Sequence, residues 1–200
     1  MKRLLLLLLA ATVLVGGGCA SKKYAKKGMK FEQAGLWEQA ADAYIRSLTA
    51  KRDNIDAIVG LKRAGQRVLD ERSLKVIKAY ENDDLKQAVY TYLDAENFKN
   101  QAASLGVELS ISNMATDYFN DAKPKYVEKI YSEAQTLLDA EKFKDAELLL
   151  TEVKRLQPDY GNTQDMLMVS KCEPLYRQAK QFMDAAQYRK AYANLDKIVK

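Results

Sequence analysis

Histidine is missing altogether from this 200-residue chain. Its absence removes the commonest transition-metal ligand, the usual general base near neutral pH, and every Ser-His or Cys-His catalytic pair. Cysteine is almost as scarce, with Cys19 and Cys172 alone, so no disulfide framework is built into the sequence. Prolines number three and glycines nine, and three of the glycines form the run Gly16-Gly17-Gly18. No glycine-rich phosphate loop follows that run. A strong charge of one sign is also lacking: 32 basic residues against 27 acidic ones give +5, and nothing in that balance demands nucleic acid. These absences lead us to expect no catalytic, cofactor or metal site, no enzymatic activity and no nucleic-acid partner. The acidic cluster Glu81, Asp83 and Asp84 reads as a solvated turn capping the next helix rather than as a carboxylate pair for glycoside cleavage.

Long apolar runs are confined to the N-terminus. Met1, Lys2 and Arg3 precede a run from Leu4 to Val15, which then meets Gly16-Gly17-Gly18-Cys19. A basic start, a short apolar core and small residues at the exit are the composition of a signal peptide. The run falls short of the roughly 20 apolar residues a spanning helix needs, so residues 1–18 are expected to be cleaved and not to remain as an anchor. A small residue directly before Cys19 resembles the lipobox of bacterial lipoproteins, and the resemblance implies lipid on Cys19 with cleavage just before it. Gly16 departs from that pattern, which usually has Leu or a similar apolar residue three before the cysteine. Ordinary secretion with cleavage after Ala20 is the alternative. Acyl chains contribute about 0.8 kcal/mol per buried CH₂, so several on one residue hold a soluble domain firmly.

Residues 19–27, with Lys22, Lys23, Lys26 and Lys27, are expected to form a basic tether near anionic headgroups. Ala20-Ser21-Lys22-Lys23, directly after Cys19, contains no Asp. By analogy with lipoprotein sorting this favours the outer membrane, with residues 28–200 facing the periplasm. Loss of Lys2 and Arg3 with the signal peptide leaves 30 basic residues against 27 acidic, or +3. With Cys19 acylated, Cys172 has no intrachain partner and reads as a small buried apolar residue.

Beyond the N-terminus, Ala, Leu, Lys, Glu and Gln abound and alternating runs are rare, which predicts an all-α fold. Internal repeats are present. Leu93-Asp94-Ala95-Glu96-Asn97-Phe98-Lys99 is echoed at Leu138-Asp139-Ala140-Glu141-Lys142-Phe143-Lys144, and more weakly at Met183-Asp184-Ala185-Ala186-Gln187-Tyr188-Arg189. Asp94, Glu96, Asp139 and Glu141 recur with this echo and so read as turns. A second pattern spaces an apolar residue, Ala and another apolar residue by three and then four: Trp37, Ala40, Tyr44; Leu85, Ala88, Tyr92; Phe143, Ala146, Leu150; Tyr188, Ala191, Leu195. This spacing keeps each set on one helical face. Upstream of each set stand Gly28 and Phe31, Val76 and Ala79, Ala134 and Leu137, and Ala179 and Phe182, where the smaller residue admits the partner helix and the larger fills the gap.

Together these positions resemble the tetratricopeptide repeat, in which a small residue, an aromatic, a turn, another small residue and another aromatic follow at such offsets. Gly28, Phe31, Gly35, Trp37, Ala40 and Tyr44 match in the first unit, and Pro158 stands at the family's closing proline in the third. The resemblance covers most of residues 24–52 and 126–200. It implies an α-solenoid of helix hairpins that binds a protein or an extended peptide, like the repeat lipoproteins attached to the outer-membrane β-barrel assembly machinery or assisting pilus, secretin or cell-wall synthase function. It thus implies a membrane-tethered periplasmic interaction scaffold. The alternatives are a glycan-binding outer-membrane lipoprotein and an N-terminal adaptor of a larger protein whose activity lies beyond residue 200.

Capping chemistry predicts helix starts after Asp53, Asp84 and Asp159. Lys123-Pro124 is expected to end one helix and open the next. Helices are expected near 22–34, 37–50, 54–80, 84–95, 98–105, 110–121, 125–140, 143–156, 162–171, 174–185 and 188–199. Ala191, Leu195 and Ile198 share one side of the last helix, an open face that points to continuation past Lys200 or to docking. Of the twelve tyrosines, Tyr44, Tyr92 and Tyr188 are assigned to packing. Tyr90, Tyr126, Tyr131 and Tyr192 are left uncommitted by the pattern, as is the binding surface itself.

Overall fold

The computed structural model describes residues 19–199, so the expected signal peptide, 1–18, and Lys200 lie outside the described residues. Eight helices and no β-strand occur among them: α1 (19–33), α2 (Trp37–Ala50), α3 (Ile55–Glu81), α4 (Leu85–Ser104), α5 (Asn113–Asp139), α6 (Phe143–Leu156), α7 (Thr163–Asp184) and α8 (Tyr188–Val199). The chain divides into two compact units inside α5, the first reaching Ala122 and the second starting at Lys123.

Four helix pairs close in the same way. α1/α2, α3/α4, α5/α6 and α7/α8 each turn through one residue of positive φ, at Gly35 (72°), Asp83 (58°), Glu141 (58°) and Ala186 (57°). Each of these lies seven residues after the small position at Gly28, Val76, Ala134 or Ala179. One residue later a backbone N–H reaches back to the preceding helix: Leu36 to Phe31 (2.9 Å), Asp84 to Ala79 (2.9 Å), Lys142 to Leu137 (2.8 Å) and Gln187 to Phe182 (2.7 Å). This is Schellman closure, which satisfies carbonyls a helix end would otherwise leave unpaired. Glycine takes the left-handed position freely in the first turn, whereas Asp83, Glu141 and Ala186 hold it at a cost of about 1–2 kcal/mol each.

The small positions do what their size suggests. Ala40, Ala88, Ala146 and Ala191 are buried, as are Val76, Ala134 and Ala179. In the first unit Tyr44 is wholly buried and joins Leu48, Leu61, Val68 and Leu69 in one core, with Phe31, Trp37 and Phe98 packed against it. Its ring lies between two glycines on neighbouring helices. A Cβ on Gly28 of α1 would meet the ring at 2.7 Å, and one on Gly60 of α3 would meet it closer still. Burying such a side chain contributes about 1.5–3 kcal/mol, and here it ties three successive helices together. A second cluster in this unit has Val76, Tyr92 and Ala115 at its centre, with Tyr92 stacked on Phe119 at 4.1 Å. The second unit has its own core of Ala134, Ala146, Leu150 and Leu167.

Several helix boundaries differ from the sequence expectation. Leu93–Lys99 lies inside α4, where Ala95 is fully buried, whereas its echo Leu138–Lys144 spans the α5/α6 turn. Asp94 and Glu96 are therefore helical, and the real turn of that hairpin is at Asn82 and Asp83. Pro124 and Pro174 lie within α5 and α7 and end neither helix. A proline removes one backbone donor and crowds the preceding turn, but Ala122 and Val127 flanking Pro124, and Ser170 and Ala179 flanking Pro174, are all buried, and that packing keeps the helical course. Asn54, not Asp53, caps α3 by accepting from the Ala57 N–H, and Asn162, without a side-chain cap, precedes α7 in place of Asp159. Asp84 caps α4 as expected, accepting from Gln87 at 3.0 Å.

Between α4 and α5 the chain turns at Leu105 and Gly106 and then runs without helix or strand over 107–112. Val107 and Leu109 are buried while Glu108 and Ser110 face outward, the two-residue alternation of an extended backbone. The Gln66 amide holds this segment at both backbone polar groups of Ser110, donating to its carbonyl at 2.9 Å and accepting from its N–H at 3.1 Å.

Candidate functional site

In the first unit the sequence singles out Cys19, and the structure places it, exposed, as the first described residue of α1. The expected tether 19–27 is not a loose linker. It forms the opening turns of α1, with Ser21 and Ala25 buried and Lys22, Lys23, Lys26 and Lys27 exposed. Small residues on the inner face let this happen, and a polar network fixes it. Ser47 Oγ donates to the Ser21 carbonyl at 2.8 Å, and the two hydroxyls lie 3.0 Å apart. The Asn54 amide donates to Ser21 Oγ at 2.8 Å and to Ser47 Oγ at 3.1 Å. Each buried hydroxyl thus has a partner, which avoids the desolvation cost of about 1–3 kcal/mol per orphaned group. Above the network is a cleft of about 350 Å³ between the start of α1 and the α2/α3 connection, flanked by Lys22, Lys51 and the exposed Ile55.

Farther along α1, Glu32 points to the inside. It accepts from the Tyr44 hydroxyl at 2.8 Å and from Arg63 through both Nε and Nη2. The Arg63 guanidinium holds the Glu32 carboxyl below the usual carboxylate range. Burial, with Glu32 as hydrogen-bond partner, pushes the Tyr44 hydroxyl well above the ordinary tyrosine value. Tyr44 therefore stays neutral and structural. Trp37 is partly buried against the same core with Arg67 over its ring at 5.8 Å, so the sole tryptophan is not an open platform for a sugar.

In the second unit the exposed apolar residues concentrate on the last hairpin. On α8, Tyr188 is 67% exposed, Tyr192 71% and Val199 86%. Spacings of four and seven put these three on one side of the helix, with the partly buried Leu195 between them. The buried side of α8 is elsewhere, at Ala191 and Asn194, and Asn194 donates to Gln178 of α7 at 2.7 Å. Tyr188 is thus not the core residue its motif position predicted. On α7, Val169, Tyr176 and Met183 are exposed at intervals of seven.

The other tyrosines are accounted for differently. Tyr126 is buried and donates to Glu152 at 2.5 Å, while Tyr131 accepts from the Asn162 N–H at 3.1 Å and meets Tyr160 edge-on. Glu81, Asp83 and Asp84 are exposed at the α3/α4 turn, and Asp84 is occupied as a helix cap. Cys172 is only partly buried. Sequence reasoning missed the α8 stripe because the repeat frame claimed Tyr188 for packing; the signal was available in the spacing Tyr188, Tyr192, Leu195, Val199.

No helix among the described residues is long and apolar enough to cross a membrane. Compared with known proteins, the chain matches no family model, no curated protein and no solved structure.

Proposed function

We propose that this chain is a lipid-anchored, non-catalytic binding module of the bacterial cell envelope: a tetratricopeptide-like array, exported by a cleaved signal peptide and held through Cys19 at the periplasmic face of the outer membrane, where it engages an envelope protein or extended peptide. The observation that carries the binding role is the α8 face, on which Tyr188, Tyr192 and Val199 stand together in solvent. Single exposed apolar side chains are ordinary, but a contiguous stripe marks an interaction surface, and tyrosine is a favoured anchor there. Four hairpins with one closure geometry support the repeat reading, since such units stack to present extended binding faces. The exposed thiol of Cys19 at the head of the folded part supports the lipid acceptor role.

The test is crosslinking in cells, followed by affinity purification and mass spectrometry, of the wild type beside Tyr188→Ser/Tyr192→Ser. Envelope proteins enriched by the wild type and lost with the double variant are the expected result. An identical set of captured proteins from both forms overturns the assignment of the surface.

A further inference from the structure

We infer that α1 is a membrane-contacting element, lying lengthwise on anionic phospholipid headgroups through a lysine face that includes the acylation site. The inference rests on the reading of Cys19 as a lipid acceptor and adds an orientation to it. Cys19, Lys22, Lys23, Lys26 and Lys30 follow one another at offsets of three, four, seven and eleven, and Lys27 lies beside them. At 3.6 residues per turn they occupy one side of α1, with Cys19 inside the arc the lysines define. All six are exposed.

The opposite side is fixed. Ser21, Ala25 and Gly28 are buried, and Ser21 is held by Ser47 and Asn54, so α1 presents this face and no other. The single acid on α1, Glu32, is turned inward and neutralised by Arg63, which leaves the exposed face without a negative charge of its own. Among nearby acids on neighbouring segments, Asp42 is paired with Arg46 at 3.0 Å and Asp53 with Lys51 at 3.4 Å, while the exposed Asp56 shares the cleft with Lys22.

Cys19 is only two residues from buried Ser21, so acyl chains leaving it have no spacer and draw the folded unit onto the bilayer surface. Two orientations then differ sharply. Between Cys19 and Lys30 the helix rises by roughly 16 Å, whereas screening at physiological salt acts over about 8 Å. An upright α1 leaves Lys27 and Lys30 beyond reach of the headgroups. A recumbent one brings all five lysines within it, and each lysine near an anionic surface strengthens attachment roughly fivefold.

The protein's sole tryptophan, Trp37, follows the end of α1 and reports the orientation. Protein isolated from cells is reconstituted in vesicles carrying a dansyl-headgroup lipid, either in phosphatidylcholine alone or with about one third phosphatidylglycerol. Energy transfer from Trp37 is measured for the wild type and for Lys22→Glu/Lys26→Glu/Lys30→Glu, whose exposed positions leave the melting curve unchanged. The expected result is at least twofold higher transfer on the phosphatidylglycerol vesicles, lost in 0.5 M salt and lost in the triple variant. Equal transfer on both vesicle types, or transfer indifferent to the three substitutions, overturns the inference; capture of an acidic protein by the same lysines without lipid dependence does so as well. Mass spectrometry of the same preparation reports acylation of Cys19 separately, so failure of the anchor reading is visible on its own, and the lipid dependence of transfer decides the lysine face in either case.

Discussion

Alanine in place of Gly60 tests the packing of three helices around Tyr44. Inside a helix that exchange ordinarily stabilises by about 1 kcal/mol, because glycine has more backbone freedom to lose. Here the added methyl would run into Cζ and Cε1 of Tyr44 and lie 2.6 Å from Cε2. The ring has nowhere to retreat. It is fully buried, Gly28 backs it from α1, and its hydroxyl is bound to Glu32 at 2.8 Å. Overpacking of this kind costs about 1–3 kcal/mol, and disturbing a hydrogen bond to a carboxylate costs about 1.5–3 kcal/mol more. Set against the propensity gain, Gly60→Ala should destabilise by about 1.5–5 kcal/mol. Urea unfolding followed by helical circular dichroism measures it. The same exchange made in a Tyr44→Leu background, where the ring is gone, should be neutral or stabilising by up to about 1 kcal/mol, and the difference between backgrounds isolates the contact. Equal or greater stability of Gly60→Ala in the otherwise wild-type chain would mean that the Tyr44 ring does not fill the space beside Gly60.

The shared turn geometry makes opposite predictions for the first and the last hairpin. Ala186→Gly should stabilise the last hairpin by about 0.5–1 kcal/mol, since glycine holds positive φ freely, while Gly35→Ala should destabilise the first by about 1 kcal/mol; thermal melts of both check the sign. Asn54→Ala removes the cap of α3 and the donor shared by Ser21 and Ser47, and should lower stability by about 1–2 kcal/mol in the same urea assay. Glu32 supplies an acid-sensitive component. Its folded pKa is depressed from 4.5, so its contribution is complete above that value and is lost as pH falls through the lower folded one. Stability measured from pH 6 downward should fall less steeply below about pH 4.5 in Glu32→Gln than in the wild type, and identical slopes would count against the Glu32–Arg63 pairing.

Close approach between helices was the most legible feature of the fold. Gly28, Ala40 and Tyr44 announce a contact because only residues of those sizes fit together, and the equivalent Val76, Ala88 and Tyr92 are likewise buried. Helix ends were less legible. The heptapeptides at Leu93 and Leu138 look alike, yet one continues a helix and the other turns, and the outcome is set by tertiary burial of Ala95 that local sequence does not display. Pro124 and Pro174 carry the same lesson, since burial on either side overrides a local breaker. At the candidate site, the reading of Cys19 rests on the residues before it, which lie outside the described ones, and the structure adds its exposed place at the head of α1. The lysines after Cys19 looked like a tether because their charge is conspicuous and the buried partners between them, Ser21 and Ala25, are small. The exposed face of α8 was hidden by its own regularity: the three-then-four spacing that accompanies the packing of Ala40 and Tyr44 in the first hairpin is present there, but Tyr188 has no further helix against it among the described residues.

A photocrosslinking residue at position 192, compared in cells between the wild type and Cys19→Ala, with position 144 as an exposed control, measures tethering and binding together. A tethered module that binds through α8 gives a discrete adduct from position 192 alone, strongly reduced in Cys19→Ala although the protein is present at the same level. Equal adducts from both positions, or an undiminished position-192 adduct in Cys19→Ala, would contradict that reading.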